Sequence, residues 1–227
     1  MQFRHVLVPI AALLLAGCGS STSVSNANFA KAINVPLSKV CIRLTPGFLG
    51  QIGTKYPLSV PLKPYQANVA MSAEDAKNTN AQIFRALDAL VKAGLITSTD
   101  AQVKAELSNK QVPGKIYSLT DAGKKALQRP DWLAFCAAHY KVVKVVNFTV
   151  PGKEMDGTTG STVNFTAAPT NVPAWATSEA IKAEFPDFSK RLAAAMAQPQ
   201  KGRADLVLMN DGWHASIPSL FFDGRLE

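Results

Sequence analysis

The sequence has few of the residues that most often carry catalysis or hold a metal ion. It contains three cysteines and three histidines among 227 residues, and the cysteines are too far apart for a C-x-x-C redox motif or a four-ligand zinc site. It also lacks the motifs G-x-S-x-G, S-x-x-K and H-E-x-x-H and the phosphate-binding P-loop. These absences predict a protein without enzymatic activity, metal ion or cofactor.

Long hydrophobic runs are absent as well. The longest apolar stretch, 6–16, has eleven residues, whereas a transmembrane helix needs about 20. Hydrophobic residues make up 47% of the chain, and its 14 glycines and 14 prolines are spread along it, as in ordinary globular proteins. The composition therefore excludes collagen-like, wholly disordered and multi-spanning membrane proteins.

Positive charge is in excess over negative charge. Lys and Arg number 24 against 16 Asp and Glu, which gives a net charge of +8 and an isoelectric point near 9.5. An excess of this size favours an acidic partner, and nucleic acid, anionic lipid and acidic proteins all qualify. The charge by itself does not choose among these partners.

The N-terminal residues have the layout of an export signal. A basic residue, Arg4, precedes the apolar stretch 6–16. The signal ends in Leu15-Ala16-Gly17-Cys18, which resembles the lipobox of bacterial lipoproteins. That resemblance implies that residues 1–17 are removed as a signal peptide and that Cys18 carries a diacylglycerol lipid and palmitate.

The residues after Cys18 are small and polar. The segment 19–28, GSSTSVSNAN, has neither a helical nor a strand period, so we expect residues 18–30 to form a lipidated flexible tether. Gly19 and Ser20 stand where lipoproteins of the inner membrane usually show Asp. The same resemblance therefore implies attachment to the outer membrane, with the body in the periplasm, although exposure at the cell surface stays open.

The two remaining cysteines, Cys41 and Cys136, would lie in an oxidising compartment. The compartment and the even number of remaining cysteines predict a disulfide between them, which would close a long loop. The alternative is a pair of buried, unpaired thiols, which are common in protein cores.

Residues 31–130 are predicted to form a winged-helix-like α+β unit. Five elements are expected in it: a strand at 39–44, a helix that begins with a capping box at Thr79 and ends at Gly94, strands at 101–107 and 115–119, and a short helix at 121–127 capped by Thr120. Between the first strand and the first helix, residues 45–71 are rich in Pro and Gly and predict irregular structure.

Two short motifs carry the likeness to a known domain. Gly94-Leu95-Ile96 ends the helix, and Tyr117-Ser118-Leu119-Thr120-Asp121-Ala122-Gly123 joins the second strand of the hairpin to the short helix. With them, residues 79–127 resemble the second half of a winged-helix domain of the MarR and PadR families. That resemblance implies that the helix before Gly94 is the DNA-reading helix and that the two strands form the wing.

The match to a DNA-binding domain is incomplete. The two helices that precede the reading helix in a helix-turn-helix are not evident, because the Pro-rich stretch occupies their place. The helix offers three possible phosphate contacts, Gln82, Arg85 and Lys92. Asp88 lies among them, and its charge opposes a phosphate. We therefore expect the fold element without the DNA-binding role.

Residues 131–227 are predicted to form an antiparallel α+β unit, either separate from the first unit or in one compact body with it. Its expected elements are a hairpin of strands 140–150 and 161–167, a helix kinked or divided at Pro186, and a second hairpin that turns at Asp211-Gly212. The order strand, strand, helix, strand, strand predicts an antiparallel sheet with one face covered by the helix. The predicted fold class of the whole chain is therefore α+β.

The candidate site residues of this half are polar or aromatic: His139, His214, Trp175, Trp213, Asp205, Asp211 and Asp223. Neither histidine has a local set of residues that completes a metal or acid–base site, so both are expected to be structural. Both tryptophans are expected to anchor the core, with a stacking surface for a carbohydrate or peptide as the alternative. Whether the histidines and aspartates meet in one site stays open.

Three functions follow from these observations. The first is a noncatalytic, membrane-anchored envelope lipoprotein that acts as a binding or assembly module for an acidic envelope component or a protein partner. The second is an envelope enzyme that acts on peptidoglycan or lipid, with a site assembled by folding. The third is a nucleic-acid-binding winged-helix module. The lipobox, the tether and the missing catalytic motifs favour the first.

Overall fold

The computed structural model describes residues 20–47, 55–64, 71–105, 110–127, 133–216, 219–222 and 225–226. The predicted signal peptide, the lipobox and Cys18 lie outside these residues. The helices are α1 Asn26–Leu37, α2 Ala73–Lys92, α3 Asp121–Ala126, α4 Glu179–Glu184 and α5 Pro186–Ala197. The strands are β1 Cys41–Leu44, β2 Leu58–Pro61, β3 Ile96–Lys104, β4 Gln111–Leu119, β5 Phe135–Phe148, β6 Gly152–Lys153, β7 Thr159–Thr170, β8 Gln200–Met209, β9 Gly212–Ala215, β10 Ser219–Phe222 and β11 Arg225–Leu226.

The strands form two antiparallel sheets, and the predicted α+β class is confirmed. The larger sheet has the order β1-β5-β7-β8-β10-β11, with β6 paired to β7 and β9 paired to β8. The smaller sheet has the order β2-β4-β3. No helix in the described ranges is both long enough and apolar enough to cross a membrane.

Helices cover one face of the larger sheet. Helix α1 packs on β5 and β9, and α5 packs on β7 and β1. The alternating side chains Val163, Phe165 and Ala167 of β7 point into this layer and are buried. They belong to one hydrophobic cluster that also includes Leu87 and Leu90 of α2, so the core is continuous between the larger sheet and α2.

Helix α1 corrects the predicted flexible tether. It begins at Asn26, inside the segment 18–30, and Ser25 caps it by accepting a hydrogen bond from the backbone N–H of Asn28 at 3.2 Å. The described part of the segment, 20–30, therefore leads into and begins a helix. The apolar stripe that makes this helix amphipathic begins at Phe29, so the sequence before it shows no period.

Helix α2 begins earlier than its sequence indicates. The predicted capping box at Thr79 is wrong, because Thr79 lies inside the helix. Ser72 caps it instead, and its hydroxyl accepts from the backbone N–H of Asp75 at 3.0 Å. Acidic residues in the first turn favour this start through the helix dipole.

The end of α2 is as predicted. Gly94 has a φ of +73°, a conformation that favours glycine. The N–H of Leu95 donates to the carbonyl of Leu90 at 3.0 Å, and the N–H of Gly94 donates to that of Val91 at 2.9 Å. These two bonds form a Schellman motif and turn the chain into β3.

The predicted cap of α3 at Thr120 is also confirmed. The hydroxyl of Thr120 caps α3 by accepting from the N–H of Gly123 at 3.0 Å. A side chain at Gly123 would collide with the carbonyl oxygen of Leu95, so the turn requires glycine for close packing. The predicted hairpin before it is present, but its first strand occupies Ile96–Lys104 rather than 101–107.

The C-terminal half follows the predicted order of elements. Strands β5 and β7 pair directly, and both are longer than the predicted 140–150 and 161–167 at the end where His139 lies opposite Thr170. Pro186 divides the predicted helix into α4 and α5. The predicted hairpin between β8 and β9 is present, but Met209 pairs with Gly212, so its two loop residues are Asn210 and Asp211 and Gly212 begins β9.

Candidate functional site

The predicted disulfide between Cys41 and Cys136 is present. It joins the neighbouring strands β1 and β5, with 5.8 Å between the two Cα atoms. The prediction of a bridge rather than two unpaired thiols is therefore confirmed. In the register of these two strands, His139 of β5 lies directly opposite Cys41 of β1.

His139 lies beside this bridge. Its Nε2 atom is 3.3 Å from the Sγ of Cys136, and its side chain is exposed. In the described ranges, Cys41, Cys136 and His139 form the one group of three or more His, Cys, Asp or Glu side chains close enough to share a metal ion. Because both sulfurs are bonded to each other, neither is a thiolate ligand. The Cys136-x-x-His139 spacing is the signal in the sequence for this proximity.

His214 and Asp211 form a pair at the β8–β9 turn. The Nε2 of His214 is 2.7 Å from a carboxylate oxygen of Asp211, and both side chains are more than half exposed. This hydrogen bond lowers the pKa of the Asp211 carboxyl. Because both side chains lie in open solvent, the pair is a surface contact of the turn.

A shallow pocket of about 300 Å³ lies between α1 and this turn. His214 and Asp211 line it together with Lys31, Ser21 and Trp213. Trp213 is buried, and its indole N–H has no partner among the described residues. The pocket therefore unites two of the polar candidates with one aromatic candidate.

The other candidates lie elsewhere. Asp205 accepts a hydrogen bond from the hydroxyl of Thr162 at 2.7 Å on the outer face of the sheet, and Asp223 lies outside the described residues. Trp175 is buried, with its ring stacked on that of Phe188 at 6.4 Å. Both tryptophans are core residues, as predicted.

The outer face of the larger sheet carries four exposed cations. Directly paired residues share a face, so the register places Lys144, Thr166 and Lys201 in one row across β5, β7 and β8. The next row consists of Asn147, Asn164 and Arg203, and Lys141 lies on the same face opposite Ala168. We call Lys141, Lys144, Lys201 and Arg203, with the two asparagines, the basic face.

The cations of the basic face have no ion-pair partner among the described residues. The side-chain amide nitrogen of Asn164 donates a hydrogen bond to the side-chain oxygen of Asn147 at 2.8 Å. No family model, curated protein or solved structure matches this chain. The chemistry of the face must therefore indicate its partner, and unpaired cations beside amides suit carboxylates or phosphates.

Two β-bulges in β5 shape the basic face. The strand reads KVVKVVNF, and its register against β7 shifts between Val142 and Lys144 and again between Val145 and Asn147. The extra residues, Val143 and Val146, are exposed. An antiparallel strand without bulges would turn alternate residues inward. Each bulge adds one residue to β5, so Lys141, Lys144 and Asn147, which are three residues apart, all lie on the outer face.

The predicted DNA-reading face of α2 is partly occupied. The guanidinium Nε of Arg85 lies 3.5 Å from a carboxylate oxygen of Glu184, and α4 packs against α2. Asp88 is exposed on the same helix. This face therefore presents a paired cation and an exposed carboxylate, which is a poor match to a phosphate backbone.

Proposed function

We propose that this chain is a noncatalytic bacterial envelope lipoprotein, anchored in the outer membrane through Cys18, whose body binds an acidic envelope component or protein. The observation that carries the proposal is the basic face. Its four cations lie in adjacent rows of the larger sheet and have no described ion-pair partner, which suits recognition of an extended anionic surface.

The disulfide supports the exported location. Structural disulfides persist in the periplasm and outside the cell and are rare in the cytosol. The lipobox-like Leu15-Ala16-Gly17-Cys18 explains the third cysteine. In this proposal, Cys18 carries the lipid and the other two cysteines form the disulfide.

Binding is favoured over catalysis because the polar candidates do not form an enclosed site. His214 and Asp211 pair in solvent, His139 lies at the disulfide, and Asp205 is bonded to Thr162. An envelope enzyme would use the pair at the pocket, and turnover of an envelope substrate that is lost in His214→Ala would favour that alternative.

The finer fold proposal concerns the smaller sheet. We propose that α2, the hairpin β3–β4 and α3 are a winged-helix-like half, supported by the Schellman turn at Gly94 and the cap at Thr120. The pairing of Arg85 with Glu184 disfavours a nucleic-acid role for it. We propose that this half serves as a structural layer.

The anchor is tested by removing its lipid site. Cys18→Ser is expected to move the protein from the membrane fraction to the soluble fraction, because a lipid chain supplies the membrane affinity. Ser20→Ala, which keeps Cys18, serves as the control and should stay with the membrane. Mass spectrometry of the mature chain should show lipid on Cys18. A Cys18→Ser protein that remains membrane-bound would contradict the anchor.

The basic face is tested by charge reversal. The triple variant Lys144→Glu, Lys201→Glu and Arg203→Glu should reduce recovery of cross-linked partners from the native membrane fraction by about tenfold or more, because each lost contact is worth up to about 1 kcal/mol and the new charges repel an anion. Raising the salt concentration should weaken capture by the native protein.

A matched control separates location from net charge. Lys77→Glu, Lys104→Glu and Lys125→Glu change the net charge equally, and these lysines are exposed on α2, β3 and α3. Capture should survive in this variant. Equal losses in the two triple variants would mean that net charge, not the basic face, governs binding.

A further inference from the structure

The most exposed apolar side chains of the described residues lie in one hairpin loop. Met155 is fully exposed and Val150 is 88% exposed, both in the connection between β5 and β7. Met209, at the end of β8, is 51% exposed. Isolated apolar residues on a surface are ordinary, so the significance of these three depends on their arrangement.

All three lie at the same end of the larger sheet. Lys153 pairs with Thr159, and Thr159 pairs with Leu208 on the next strand. The loop that carries Met155 and the turn that follows Met209 both extend beyond this line of paired residues. The apolar residues are therefore grouped by the sheet register at one edge of the molecule.

The chain also enters the body at this end. Ser21 packs against Gly212 at the β8–β9 turn, so closely that a side chain at position 212 would contact it. The carbonyl of Ser20 accepts hydrogen bonds from the side-chain amide of Asn28 at 2.8 Å and from the N–H of Ser23 at 3.0 Å. Ser20 is thus fixed to the body beside the β8–β9 turn.

The distance from Ser20 to the predicted anchor is short. Cys18 is two residues earlier in the sequence, and two extended residues span at most about 7 Å. A lipid on Cys18 would hold this end of the body against the bilayer, since no long linker separates them.

We propose that this end docks on the membrane, with Val150, Met155 and Met209 in the lipid interface. The proposal rests on the proposed lipid anchor. The partner is a lipid surface because an acyl chain would start within about 7 Å of a residue fixed at this end, and because apolar side chains gain free energy on leaving water.

Charge does not drive this contact. The loop carries one basic residue, Lys153, and two acidic residues, Glu154 and Asp156, so anionic lipid does not attract it. The ammonium of Lys153 donates to the carbonyl of Gly157 at 3.0 Å, and Asp156 accepts from Thr158. We therefore expect the docking to resist added salt, in contrast to binding by the basic face.

The docking gives the basic face an orientation. Its rows succeed one another along the sheet, from Asn147 and Arg203 to Lys144 and Lys201 and then to Lys141, moving away from the docked end. With this end at the bilayer, the basic face stands beside the membrane and is open to a partner in the aqueous phase.

The test uses the lipidated protein in vesicles of phosphatidylethanolamine and phosphatidylglycerol. With Cys18 lipidated and the other two cysteines bridged, an introduced cysteine is the single free thiol for a nitroxide label. Met155→Cys and Met209→Cys are the test variants. Met196→Cys is the control, because Met196 has a matching 52% exposure and precedes the opposite end of β8.

Labels at 155 and 209 should be relaxed more by membrane-dissolved oxygen than by a water-soluble nickel chelate, with chelate access reduced severalfold relative to the label at 196. Adding Val150→Asp and Met155→Asp to the Met209→Cys protein should return that label to water while the lipid keeps the protein membrane-bound. A lipidated protein with all labels in water, or a label at 209 that ignores the two aspartates, would overturn the docking alone. A mature protein without lipid would overturn the anchor and the docking together.

Discussion

Removing the disulfide, by Cys41→Ala with Cys136→Ala, should lower the free energy of unfolding by about 4 to 5 kcal/mol. The two cysteines are 95 residues apart, and in the chain-entropy model a bridge that closes a loop of this length removes much of the freedom of the unfolded chain. The closed loop contains the whole smaller sheet with α2 and α3. Urea unfolding of the native and variant proteins measures the difference.

The reduced native protein is the control for this experiment, because it loses the bridge without any change of sequence. It should unfold at nearly the same urea concentration as the double variant. Circular dichroism should show the same secondary structure in both before unfolding. Unchanged stability in both proteins would mean that the bridge does not constrain the unfolded chain.

Replacing Phe29 with alanine should destabilise the protein by about 3 to 5 kcal/mol, the usual cost of truncating a buried phenylalanine. Phe29 is fully buried in α1, and its ring lies 4.9 Å, centroid to centroid, from the rings of Phe148 and Trp213. Both contacts are edge-to-face, a favourable geometry for aromatic pairs. Thermal or urea unfolding measures the loss.

Val35→Ala is the matched control, since Val35 lies on the same helix and is 65% exposed. Its effect should stay within about 0.5 kcal/mol, as for other surface substitutions. If Phe29→Ala were equally mild, the N-terminal residues would not pack as described. The fixed position of Ser20, on which the membrane docking depends, would then be lost as well.

Turn chemistry in this chain could be predicted from local sequence. The end of α2 at Gly94, the cap at Thr120 and the division at Pro186 each follow from one residue whose backbone or hydroxyl permits a single local geometry. The hairpin between β8 and β9 was also predicted locally, although its two loop residues are Asn210 and Asp211 rather than Asp211 and Gly212. These signals act within a few residues, so they need no knowledge of the fold.

The first residues of α1 and α2 could not be predicted from the sequence, because tertiary contacts decide where these helices begin. Helix α1 has a weak sequence signal because only Phe29 and the apolar residues after it face the core. The strands on which it packs, β5 and β9, lie about a hundred or more positions later in the chain. Helix α2 has two possible caps, Ser72 and Thr79. The packed helix uses the earlier one, because tertiary packing can extend a helix beyond its strongest local signal.

The polar candidates show the same division. The sequence named His214 and Asp211 separately, and the hairpin turn brings their side chains to 2.7 Å. The excess of positive charge indicated an acidic partner, but no sequence motif located the basic face. Its rows combine residues from three strands, and their alignment depends on two bulges in KVVKVV that no pairing rule places in advance.

By itself the sequence determined the α+β class and the main turns and favoured the disulfide between Cys41 and Cys136, because each depends on composition, parity or a local conformational limit. The tertiary structure alone decided which faces are buried, where the cations gather and at which end the chain enters the sheet. Those properties depend on strand register, and register is fixed when one face of the sheet is buried against the core.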